Sequence, residues 1–203
     1  MIYLSSWCPE LAVSQSSYLG LMVSPGRGNS RPVATVRVWA ADNGCFSSAR
    51  KFREATFLNW LGDLSMHAPR CLFAVAPDVV GDAAGTWERS APVLPRIREH
   101  GYKAAYVAQD GFRPEGVDWE AFDVLFIGGT TEWKLGMGHQ ATAWGLEHSK
   151  PVHMGRVNSI KRLEWAAGLG CTSADGSMFV FGGSKYMGRI KRALTRANLR
   201  RPT

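Results

Sequence analysis

Short apolar stretches recur along the chain, and between many of them apolar residues return every three or four positions. The stretches at 2–5, 18–23, 33–40, 72–76, 104–108, 124–127, 152–154 and 172–174 read as eight strands. Phe52, Leu58, Leu61 and Leu64 mark a helix over 46–67, and 82–100 opens at a capping Asp82 and stops before Gly101. Helices are also expected over 132–148 and 159–169, the latter capped by Asn158 or Ser159 and stopped by Gly170. The basic end, about 184–203, forms the last helix.

Strands alternating with helices imply parallel β-α units. Eight of them in 203 residues imply a compact (β/α)8 TIM-like barrel with reduced helices near the N-terminus. An open doubly wound sheet is the rival. No G-x-G-x-x-G opens a helix after a strand, and Gly26-Arg27-Gly28 lacks both the third glycine and the helix. With no Pro/Ser-rich linker and no repeat, one barrel domain is expected over 1–203.

Composition narrows the class. Hydrophobic residues make up 45% and charged residues 20%, which suits a globular protein and excludes disorder. The runs 33–41 and 71–80 are broken by Arg37 and Pro77, short of the ~20 residues a spanning helix needs. Residues 1–9 lack the pattern of a secretory leader, so a cytoplasmic protein with no membrane partner is expected. Cys8, Cys45, Cys71 and Cys171 lie far apart with no C-x-x-C, and the five histidines lack H-x-x-x-H spacing. Reduced thiols, no metal and no cofactor are the expectation. The net charge is +7, and Lys185, Arg189, Lys191, Arg192, Arg196, Arg200 and Arg201 crowd the last twenty residues without an acid among them. The remaining cations only balance the 17 acids. A basic end of this kind suits phosphate backbones, its bland alternative being a solvated helix.

In a barrel the active site forms where strands end. The residues that follow the expected strands include Asp42, Asp78, Gln109, Gly128-Gly129, His153 to Arg156, and Asp175. Three carboxylates, an amide and several glycines therefore point to one mouth. Plainer roles compete: Asp82 as a helix cap, Gly128-Gly129 as a tight turn, His153 as a satisfied strand-end histidine, and Arg156 as a surface charge.

These residues, taken in order, resemble the tRNA-guanine transglycosylase superfamily. Asp42-Asn43-Gly44-Cys45-Phe46 is similar to its D-S-G-G-F segment, and Ala76-Pro77-Asp78 to its base-binding strand-end Asp. Val107-Ala108-Gln109-Asp110-Gly111 resembles V-Q-G-G, Ile127-Gly128-Gly129 resembles I-G-G, and His153-Met154-Gly155 resembles L-M-G. Asp175 falls where that superfamily has its nucleophile. The chain is shorter than the tRNA enzymes and lacks their C-x-C-x-x-C…H zinc cluster, so no zinc subdomain is expected. Longer phrases, such as 77–82, 128–135 and 155–159, resemble the short DNA-guanine transglycosylases, the DpdA-like proteins of phages and bacterial modification islands.

The resemblance implies an exchange of guanine in DNA for a 7-deazaguanine base, such as 7-cyano-7-deazaguanine, through a covalent Asp-glycosyl intermediate. Asp175 would be the nucleophile and Asp42 the proton relay. Asp78, Gln109, Gly128, Gly129 and Met154 would bind the base, with Phe46 and Trp133 as aromatic faces whose plainer role is core packing. Arg156, Lys185, Arg189, Lys191, Arg192, Arg196 and Arg200 would contact phosphates. The expected partners are DNA and the deazaguanine base, in a bacterial or phage-infected cell, with a homodimer left open. Alternatives are a tRNA-guanine transglycosylase, an N-glycoside hydrolase, or a protein that binds a modified base without chemistry.

Overall fold

The computed structural model describes residues 1–12, 16–26, 30–45 and 52–199. Eight parallel strands close a barrel in chain order: β1 (Ile2–Ser5), β2 (Leu19–Val23), β3 (Trp39–Ala41), β4 (Cys71–Val75), β5 (Ala104–Ala108), β6 (Val124–Ile127), β7 (Val152–Met154) and β8 (Ser173–Asp175). β8 pairs back onto β1, with Leu4 opposite Asp175. The described helices are α1 (Pro9–Ala12), α2 (Glu54–Asp63), α3 (Ala83–Ser90), α4 (Leu94–Glu99), α5 (Thr131–Glu147), α6 (Ile160–Gly168) and α7 (Met178–Leu199).

Strand alternation divides the apolar residues into two clusters. Leu4, Ala40, Phe73, Val75, Ala105, Val107 and Val124, with Met22 and Phe126 beside them, fill the barrel interior. Tyr3, Leu21, Trp39, Ala74, Tyr106, Leu125, Met154 and Ala174 face outward and pack beneath the helices. Carried one step up the strands, the inward parity puts Asp42, Gln109, Gly128 and Asp175 above the interior cluster.

Three expected elements differ. The 33–40 stretch is a 3-10 helix, Arg31–Thr35, followed by the shorter strand β3. Pro32 starts that turn, and Val33 and Val36 are buried at a spacing of three, the 3-10 period rather than the strand period. The 82–100 helix is two helices, because Pro92 has no N–H to continue the first and Pro95 sits in the opening turn of the second. The last helix begins at Met178, ahead of the basic run, and bends at Gly183, whose φ of 53° and ψ of −155° interrupt it. Helix α2 starts at Glu54, while residues 46–51 of the expected 46–67 helix lie outside the described residues.

A candidate active site at the barrel mouth

A cavity of about 400 Å³ opens at the C-terminal ends of the strands, within the range of small-molecule sites. Asp42, Asp78, Gln109, Gly128, Gly129, Arg156 and Asp175 all line it, so seven of the residues expected from sequence meet in one place. Its lower wall includes Leu4, Met22, Val75, Val107 and Phe126 from the barrel interior.

Asp78 is nearly buried and held on both oxygens. Asn43 Nδ2 donates to its Oδ1 at 2.9 Å and Gln109 Nε2 to its Oδ2 at 2.5 Å. Asn43 is itself fixed, donating to Ala76 O and accepting from Cys45 N–H. Burial raises the Asp78 carboxyl above its usual range, while the two amides pull the other way. Gln109 is an organising residue: its Oε1 accepts from Gly81 N–H and Gly129 N–H, each at 3.0 Å. One Nε2 hydrogen remains for a ligand.

The Gly128-Gly129 turn serves packing first. Gly129 has φ +66°, and a Cβ there would meet the Trp133 ring at 2.2 Å. Gly128 N–H bonds Ala108 O, so with Gly129 N–H on Gln109 both backbone donors are committed. A base lying against this turn would find carbonyl and van der Waals surface rather than N–H groups.

Asp42 is half-buried, and its pKa is pushed up to about 7, by burial first and then by the negative charges of Asp175 and Asp78. Asp175 ends β8. Its Oδ1 accepts from His153 Nε2 at 3.0 Å and from the backbone N–H of Arg156 at 3.2 Å. The second bond depends on an unusual backbone: Arg156 has φ 55°, a left-handed conformation that non-glycine residues seldom adopt. From there the Arg156 guanidinium crosses to Gly129 O.

His153 is wholly buried inside the barrel, and strand parity explains why it, and not Met154, faces the site. Met154 is a correction to the sequence reading. Period two turns it outward, where it is fully buried and lines a second, water-sized space of about 10 Å³ with Lys134, Arg156, Arg162 and Trp165. Lys134 is nearly buried, bonds Gly155 O, and has its pKa lowered to about 8 by burial and by Arg156. Asn43, Lys134 and the pairing of His153 with Asp175 were missed. Counting alternate positions back from Asp175 to Ser173, its neighbour across from His153, would have found the last.

Asp82 caps α3, accepting from Gly85 N–H. Trp133 packs against the core and is absent from the cavity wall, whose aromatic residue is Phe126. Phe46 and Arg200 lie outside the described residues, as does Arg201. Along α7, Ile190, Ala193 and Leu194 are buried, so Arg189, Arg192 and Arg196 form the exposed face. The helix leaves the mouth just after cavity-lining Ser177 and ends where Asn198 bonds both Met1 N and Met1 O, at the opposite end of the barrel. Its cations therefore recede from the cavity: Arg189 is nearer, and Lys191, Arg192 and Arg196 progressively farther, while the side chain of Lys185 lies outside the described residues.

Among the described residues, no cluster of His, Cys, Asp and Glu could hold a metal ion, and no helix is long and apolar enough to cross a membrane. Cys8, Cys45, Cys71 and Cys171 are unbridged, and burial pushes the Cys45 thiol up to about 11.

No protein-family model and no curated protein matches the chain. Solved structures do. Tryptophan synthase from M. tuberculosis, in its aminoacrylate- and BRD0059-bound form, matches with a TM-score of 0.53 at 10% identity, over 97% of this chain and 90% of that one. The native KDPGal structure matches with a TM-score of 0.55 at 14% identity, over 97% and 93%. At such identities the likeness concerns architecture: the chain is a compact TIM-like (β/α)8 barrel, a fold that an enzyme such as tryptophan synthase also uses.

Proposed function

We propose that this barrel is a glycosyltransferase that exchanges bases, a DNA-guanine transglycosylase replacing guanine by a 7-deazaguanine. The observation that carries the reading is the convergence of Asp42, Asp78 and Asp175, with Gln109, on one cavity whose environment gives the three carboxylates different settings. Asp175, ordered by two donors on one oxygen, attacks C1′ as the bond to guanine N9 breaks. Asp42, with a pKa near 7, delivers a proton to the departing guanine. It then takes the N9 proton of the incoming deazaguanine, whose N9 displaces Asp175 from C1′. Two displacements retain the configuration, and the proton count closes. Asp78 is an acceptor matched to the N1–H and 2-amino donors that guanine and 7-deazaguanines share, and the remaining Gln109 N–H suits O6.

A base stacked in duplex DNA must leave the stack, which costs a few kcal/mol that phosphate contacts offset. Arg156, with Lys134 and Arg162 around the adjoining space, offers positive charge beside the nucleophile, and the α7 cations extend it. The test is release of labelled guanine from DNA and from tRNA, each with and without 7-cyano-7-deazaguanine. Exchange in DNA that needs the acceptor base is expected. Release without acceptor would make the protein an N-glycoside hydrolase, exchange in tRNA alone would move the substrate to RNA, and binding without release would leave a base-binding protein.

A further inference from the structure

His153 is a ring with two polar partners inside a largely apolar barrel. It is fully buried, with the Phe73 ring 4.9 Å and the Phe126 ring 4.4 Å from its own, centroid to centroid. Its Nε2 lies 3.0 Å from Asp175 Oδ1, and its Nδ1 lies 2.8 Å from the hydroxyl of Ser173, itself nearly buried. An ionised carboxylate can only accept, so Nε2 carries the hydrogen. In a neutral imidazole Nδ1 then holds a lone pair, which the Ser173 hydroxyl satisfies by donating. Along Ser173, His153 and Asp175 both ring nitrogens are thus paired. A second ring proton would charge a group walled by two aromatic rings. The charged groups acting on it are Asp175, which favours that proton, and Lys134, which opposes it; burial is the larger effect and lowers the His153 pKa.

Both donors to Asp175, His153 Nε2–H and Arg156 N–H, converge on Oδ1, and no bond reaches Oδ2 among the described residues. We propose that His153 is a positioning residue for Asp175: as the neutral Nε2–H tautomer it anchors Oδ1 and leaves Oδ2 as the oxygen that attacks. The attack itself rests on the base-exchange reading above. The anchoring does not. His153 touches no substrate, since it lies below the cavity wall, and it moves no proton during the reaction. Its contribution is to fix the carboxylate torsion, so that the nucleophile waits in one orientation; an angstrom of misplacement at such a step costs on the order of 100-fold in rate.

Long-range ¹⁵N–¹H correlation spectra of the wild-type protein report the tautomer directly, with the His153 signals identified by their loss in His153→Gln. The Nε2–H form from pH 6 to pH 8 is expected. An Nδ1–H tautomer, or an imidazolium at neutral pH, would overturn the proposal whether or not the protein exchanges bases. The second arm is kinetic. His153→Gln keeps an N–H for Asp175 and should retain kcat within about 10-fold, while His153→Leu should lose about 100-fold in kcat with KM for the deazaguanine unchanged. Equal activity of the Leu variant, in a protein whose melting shows it folded, would also overturn it. A wild type inactive on every nucleic acid would strike the base-exchange reading alone, and the tautomer then decides the anchoring.

Discussion

Asp42 holds the balance of charge at the mouth. A carboxyl near pKa 7 is poised for proton transfer in both directions, and here burial and two neighbouring carboxylates supply the shift. In the proposed exchange, guanine departure needs the protonated form. Formation of the covalent intermediate should therefore slow as pH rises through about 7, and Asp42→Asn should abolish both that limb and most of the activity, as read from single-turnover guanine release between pH 5.5 and 8.5. The same shift has a stability consequence of opposite sign to that of an ion-paired carboxylate. The folded pKa lies above the unfolded value, so the contribution of Asp42 is fully present below about pH 4 and is lost as pH rises through about 7. Asp42→Asn cannot ionise, so thermal melts should show it gaining on the wild type at pH 8 relative to pH 5.

At the scale of elements, the loop after each strand is as important as the strand. Gly129 has a positive φ, and its Cα faces the Trp133 ring and the Asp110 carboxylate so closely that Gly129→Ala should destabilise the protein by about 1–3 kcal/mol. Denaturant unfolding measures this, and base binding should weaken because Gln109 loses its backbone partner. Hydrophobic runs placed seven of the eight strands to within a few residues; at 33–40 apolar content hid a turn with period three. Asp42 and Asp78 were legible because each follows an apolar strand, and Asp175 because it ends one. What stayed hidden depends on register and on contacts across the barrel. Met154 and His153 are neighbours in sequence, and only the parity of β7 against β8 decides which one faces inward. Asn43 and Lys134 act through partners 35 and 21 positions away, for which local pattern carries no signal.

For the whole molecule, charge and shape are arranged along one axis. The cavity lies at one end of the barrel, and α7 runs from that end to the other with Arg189, Arg192 and Arg196 outward. Phosphate contacts that act at the site should therefore weaken with distance from the mouth. In anisotropy titrations of a labelled guanine-containing oligonucleotide, Arg162→Glu should lower the slope of log K against log salt by about 1, and Arg196→Glu should lower it less. Base preference should persist in both, since phosphate contacts set position and not identity. The central claim is that a carboxylate at the end of β8 takes the sugar. Wild-type protein mixed with guanine-containing DNA without acceptor base, then quenched in denaturant, should yield a protein-DNA adduct mapping to the peptide that contains Asp175. Asp175→Asn should yield none. An undiminished adduct from the Asn variant, or one mapping to Asp42, would contradict the account.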